Sequence, residues 1–173
     1  MNYNISIFDD LIPQDLQNFY YSMIYGKLDK TEVFPLVDFK IKYEPTAKDD
    51  HSEPISFMHI LKSNAELSNH LSNFSQIPQI TCSNLNLNLQ DILYARIFLT
   101  FPYLTDRKYH NPHIDLPYPH YSLIYYVNDS TGDTVFFDNN KNIIKTVTPK
   151  KGRIALFEGN ILHSAGIPKD QSR

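Results

Sequence analysis

The side chains best suited to chemistry sit in two short motifs, His113-Ile114-Asp115 and, fifty residues after His113, Leu162-His163-Ser164. In an extended segment, side chains two positions apart leave the same face, so the His113 imidazole and the Asp115 carboxylate can reach one metal ion. His163 offers a third donor. Two imidazoles and one carboxylate leave the remaining octahedral positions open, a set suited to non-haem Fe(II) working with a co-substrate and O2. A His-x-Asp pair arises easily by chance in a chain with seven histidines, so its weight comes from what surrounds it.

What surrounds it is a run of short strands. Ser122 to Asn128, Thr134 to Asp138, Ile143 to Val147 and Arg153 to Phe157 are β-branched or aromatic, and each pair is separated by a turn: Asp129-Ser130-Thr131-Gly132, Asn139-Asn140-Lys141-Asn142 and Lys150-Lys151-Gly152. Such a pattern predicts an antiparallel barrel or sandwich with His113 and Asp115 before it and His163 at its end. Ile92 to Phe101, interrupted only by Arg96, reads as a central strand leading to the site.

The segments His113-Ile114-Asp115, Leu123-Ile124-Tyr125-Tyr126-Val127-Asn128, Gly132-Asp133-Thr134-Val135-Phe136-Phe137, Pro149 to Phe157 and His163-Ser164 resemble the 2-oxoglutarate/Fe(II)-dependent dioxygenases, in particular their prolyl-4-hydroxylase-like branch. The likeness covers about residues 92 to 173. It implies a mostly β, α+β fold: a double-stranded β-helix (jelly-roll, cupin-like) core with N-terminal helices packed on one face. It also implies Fe(II) held by His113, Asp115 and His163, with 2-oxoglutarate and O2 as co-substrates and ascorbate as reductant. In the family an Arg or Lys about ten residues beyond the distal His pairs with the far carboxylate of the keto acid, and a strand tyrosine hydrogen-bonds the same group. Arg173 and Tyr126 stand at the matching positions; a packed strand aromatic is the other reading of Tyr126. Phe101 stands where the family commonly has a second tyrosine. The family continues through another barrel strand, so a chain stopping at Arg173 reads as a fragment or as a barrel closed in another way.

Composition sets the frame. A chain of 173 residues, 42% hydrophobic and 13% aromatic, suits one globular domain, with a helix-bearing half over 1–90 and a metal-binding core over 91–173. A net charge of −3 argues against a protein that grips nucleic acid or an anionic membrane by its field. The local basic group Lys141, Lys145, Lys150, Lys151 and Arg153 reads as solvated charge on hairpin turns. The single cysteine, Cys82, excludes an internal disulfide and fits a reducing compartment. No apolar run nears the roughly 18 residues that span a bilayer, and the N-terminus lacks the basic-then-apolar order of a signal peptide. The expected setting is cytoplasmic.

In the N-terminal half, Tyr3 to Phe8 reads as a strand. Pro13 then opens a helix carrying Leu16, Phe19, Tyr20 and Met23 toward the core, with Gly26 as its C-cap. Residues 34–43 and 55–61 read as strands, and Glu44 to Glu53 as a surface loop holding Asp49, Asp50 and His51. Ser63-Asn64-Ala65-Glu66 is a capping-box pattern for a second helix with Leu67, Leu71 and Phe74 on one face and Pro78 at its end. The Asn-rich stretch from Ser83 to Asn88 has no clear period.

Other readings stay open at this stage. His110, His113 and His120 could form a three-histidine zinc set, but that would leave Asp115 and His163 unexplained. A cupin-like enzyme could use Zn, Ni or Mn without a keto acid, and a non-catalytic jelly-roll binding or structural module is a third possibility. The substrate, whether a small molecule, a protein side chain or a nucleobase, depends on loops that follow no common code.

Overall fold

The computed structural model describes residues 3–26, 40–42, 56–103 and 105–169. The loop with Asp49, Asp50 and His51, most of the strand expected over 34–43, and Arg173 lie outside the described residues.

Three antiparallel sheets of three strands carry the fold. In the first, β8 (Ile154–Glu158) lies between β1 (Ile5–Phe8) and β5 (Tyr121–Tyr125), with Phe157 level with both Ile5 and Ser122. In the second, β6 (Thr134–Phe137) lies between β7 (Ile143–Val147) and β9 (Leu162–Ala165), and Phe136 faces His163 across the ladder. The third has the order β2 (Lys40–Lys42), β3 (Ser56–Lys62), β4 (Ala95–Thr100). Among the described residues β4 is thus an edge strand rather than the central one its composition suggests, and Arg96 stands on its open face.

Alternation along β8 explains the layering. Side chains two apart share a face, so Ala155 and Phe157 point one way and join Tyr126, Phe136, Val147 and Ile161 in a core between the first two sheets. Ile154 points the other way, into a second core with Ile12, Tyr20, Met23, Leu61 and Ile97. Helix α1 (Gln14–Tyr25) therefore packs on the outer face of the first sheet. Its buried face is Gln17, Tyr20, Met23 and Ile24; Phe19, expected inward, is exposed. Gln17 is tolerated inside because its Nε2 donates to the Ile12 carbonyl at 2.8 Å.

The second helix departs from the expected outline. The Ser63 hydroxyl accepts from the Glu66 N–H at 3.0 Å, but it closes a turn in which Lys62 bridges Leu67. Helix follows as α2 (Leu71–Phe74) and α3 (Gln76–Asn84). Pro78 does not end a helix; it sits in the first turn of α3, where its missing N–H would have had no intrahelical partner.

The hairpins follow their turn chemistry. Asp138 Oδ1 accepts from the N–H groups of Asn140 and Asn142, at 2.9 and 2.8 Å, and Lys141 takes a positive φ of 64°. Four of the basic residues near the turns are tied down: Lys150 and Arg153 to Asp9, Lys151 to Asn18, and Lys145 to the Ile5 carbonyl.

Candidate metal centre

Residues 108–113 reach the site by running antiparallel to β9. His110 N–H donates to the Ala165 carbonyl, Ile167 N–H to the Lys108 carbonyl, and His113 and His163 exchange both backbone bonds. Beyond this single bridge the chain bends, so His113 and Asp115 share no regular strand. Asp115 is held instead by its neighbours. Ser122 on β5 donates to its Oδ2 at 3.0 Å, and Arg96 on β4 donates to its Oδ1 at 3.3 Å.

These elements bring His113, Asp115 and His163 together. One ligand atom from each lies within 4.8 Å of the others, and they are the one such cluster among the described residues. His163 Nε2 is 3.5 Å from Asp115 Oδ2, and His113 Nε2 is 3.7 Å from Asp115 Oδ1. The donor set fits a divalent ion in a further respect. Nδ1 of His113 lies 3.2 Å from the Asn111 carbonyl, and Nδ1 of His163 lies 3.1 Å from the Ile161 carbonyl. A carbonyl only accepts, so Nδ1 carries the proton in each ring and Nε2 keeps its lone pair toward the cluster.

Electrostatics agree with that assignment. Burial against Phe157 and Phe136 pushes the His163 imidazole below its ordinary value despite the nearby Asp115, which favours the neutral, ligating form. Burial works against ionisation of Asp115, but the positive charge that His163, Arg96 and His113 present in the acid range where a carboxyl titrates, with the Ser122 hydroxyl, outweighs it. The carboxyl lies below its usual range and is ionised at neutral pH.

The other candidates go elsewhere. His110 sits edge-on to Phe98 rather than in the cluster. His120 turns Nε2 to the Ser122 hydroxyl at 3.2 Å, with Nδ1 2.7 Å from the Tyr118 carbonyl. With the Nδ1 proton directed at that carbonyl, Nε2 can only accept, so His120 competes with Asp115 for the single Ser122 proton, a relation its sequence position alone did not suggest. Tyr126 is buried, with its hydroxyl bonded to that of Thr134. Both line the same cleft as the triad, about 1390 Å³ in volume, and so do Arg96 and Phe98.

No protein-family model matches the chain, and no curated protein matches it in sequence. A solved structure does match: that of a Pseudomonas putida prolyl-4-hydroxylase superposes with a TM-score of 0.58 at 15% identity, covering 99% of this chain and 89% of that one. At this identity the match shows a shared fold, mostly β with antiparallel sheets and a few helices. No helix among the described residues is long and apolar enough to cross a membrane.

Proposed function

We propose that this chain is a single-domain Fe(II)- and 2-oxoglutarate-dependent oxygenase that hydroxylates a small molecule or a protein side chain. The observation that carries this reading is the His113–Asp115–His163 cluster, with both imidazole Nε2 lone pairs aimed inward by carbonyls behind the rings. A fold shared with a prolyl-4-hydroxylase supports it, and the two packed sheets are read as a double-stranded β-helix core.

His113, Asp115 and His163 would hold the iron. Bound there with 2-oxoglutarate and O2, iron couples decarboxylation of the keto acid to succinate and CO2 with hydroxylation of a substrate C–H bond. The chain's own residues do the rest. Ser122 and Arg96 fix the Asp115 carboxylate, while Phe136 and Phe157 shield the His163 side from water. Tyr126, with Thr134 beside it, offers a hydroxyl to the keto acid from the cleft wall. Arg173, ten residues past His163, would pair with the far carboxylate through its guanidinium fork.

An anaerobic Fe(II) titration with and without 2-oxoglutarate, followed by a succinate assay with ascorbate in air, tests the reading. One iron per chain, a visible charge-transfer band on adding keto acid and succinate above a metal-free control are expected. Stoichiometric metal without band or succinate would instead indicate a metal enzyme that uses no keto acid, and no metal at all a binding module.

A further inference from the structure

We propose that Arg96 is a carboxylate receptor at the edge of the metal centre and that it selects a substrate carrying a carboxylate beside the carbon to be oxidised. The proposal rests on the oxygenase reading and goes beyond it by naming a substrate class.

Among the described residues that line the cleft, Arg96 is the one Lys or Arg. The acids lining it are Asp91, already bound to Lys62 Nζ at 2.7 Å, and Asp115. Arg96 makes one hydrogen bond among the described residues, from Nη2 to Asp115 Oδ1, although a guanidinium has five N–H donors in a planar fork. Its side chain is about one-third exposed, at 31%, and it lines the cleft. The group is also held in place. Tyr94 and Phe98, two positions either side and hence on the same strand face, lie with ring centroids 5.7 and 5.5 Å from its central carbon. Aromatic contact of this kind fixes a guanidinium without using its donors, which lowers the ordering cost of binding an anion.

Charge gives the reason for a second anion. Without metal, Asp115 and Arg96 compensate each other. A divalent ion on Asp115 takes over that carboxylate and leaves Arg96, one contact away, as an uncompensated cation beside another cation. A carboxylate received by Arg96 restores the balance. Because Arg96 is bonded to a residue of the ligand set, that carboxylate lies beside the metal, where a substrate's reacting carbon has to sit. A chelating keto acid would also bring its near carboxylate to the metal, and the second arm of the test separates that source from a substrate's.

The test uses benzoate and benzamide, which match in shape and differ in charge. In Zn(II)-loaded protein without keto acid, calorimetric titration should show benzoate binding and benzamide not. Arg96→Gln should weaken benzoate at least about tenfold, the loss of one charge-assisted contact, and Arg96→Lys should recover part of it. One zinc per chain in each variant, held against a chelator within about threefold of the parent, shows that Asp115 still ligates. Equal benzoate affinity in Arg96→Gln, or benzamide binding as tightly as benzoate, overturns the proposal. The second arm separates the source of the carboxylate. With anaerobic Fe(II) at a level that saturates the metal site of both proteins, so that a weaker hold on Asp115 does not enter, the charge-transfer band should give a 2-oxoglutarate affinity for Arg96→Gln within about threefold of the parent. A loss of tenfold or more, on the same scale, assigns Arg96 to the keto acid and overturns the substrate assignment. No band in the parent defeats the oxygenase reading, while the zinc titration still decides for or against the receptor.

Discussion

The backbones of His113 and His163 hold each other, His113 N–H donating to the His163 carbonyl at 2.9 Å and His163 N–H to the His113 carbonyl at 3.0 Å. Side-chain replacement leaves this pair intact, so loss of metal and loss of stability should separate. His113 is largely exposed, and His113→Ala should cost under about 0.5 kcal/mol. His163 is buried against Phe136 and Phe157, and His163→Ala should cost about 2–3 kcal/mol through the cavity it leaves. Both should lose stoichiometric iron. Urea unfolding of the metal-free variants, with iron analysis of the loaded ones, checks the split; equal stability losses would contradict the burial difference.

The contact between His120 and Ser122 depends on Gly159. A Cβ at that position would overlap the His120 ring. The imidazole is partly buried at the surface and can swing aside, so Gly159→Ala should fold but withdraw His120 from Ser122. Ser122 would then keep its one proton for Asp115, so metal affinity should hold or rise by up to about threefold. Competition with a chelator measures it, and a fall of about tenfold or more at unchanged melting temperature would show that His120 supports Asp115 instead of competing with it.

Arg153 joins β8 to the segment after β1. Its Nε and Nη2 donate to the two oxygens of Asp9 at 2.7 and 2.8 Å. This fork, with Lys150 assisting against slight burial, holds the Asp9 carboxyl down at about 2. A carboxyl depressed in the folded state stabilises it above the unfolded value and loses that contribution as pH falls through the folded one. Asp9→Asn should therefore be less stable than the parent at about pH 7 and 4, and the gap should close toward about pH 2. With Asp9 one-third exposed, screening keeps the gap below about 1 kcal/mol. Urea midpoints at the three pH values decide it; a gap persisting to the lowest pH would point to packing rather than charge.

The Tyr125 hydroxyl is buried and has no hydrogen-bond partner among the described residues; burial, with Tyr20 beside it, pushes its ionisation well above the ordinary value. Removing an unpaired buried hydroxyl relieves a desolvation cost, so Tyr125→Phe should be neutral or stabilising by up to about 1 kcal/mol. A loss of more than about 1 kcal/mol in thermal unfolding would mean that the hydroxyl is satisfied in solution.

Local chemistry made much of the fold legible. Asp138 to Asn142 folds as a turn because an Asp side chain captures the N–H groups that follow it, and Gly26 and Gly152 take positive φ, at 81° and 82°. Legibility failed where one local signal serves two outcomes. Pro78 fits a helix start as well as a stop, and Ser63 caps a tight turn as readily as a helix. The composition of β4 suits a buried strand, and only the pairing pattern shows that among the described residues it lies at a sheet edge.

By itself the sequence determined which donors exist, two imidazoles and a carboxylate in motifs fifty residues apart, and the strand-and-turn rhythm between them, because side-chain chemistry and turn preference are local properties. Only the tertiary structure decided that His113 lies opposite His163, that Ser122 and Arg96 grip the two oxygens of Asp115, and that His120 stands behind Ser122. Those relations depend on the register between strands far apart in the chain. Register is set by which faces bury Phe136, Phe157 and Ile154 together, a cooperative outcome of packing that no single segment encodes.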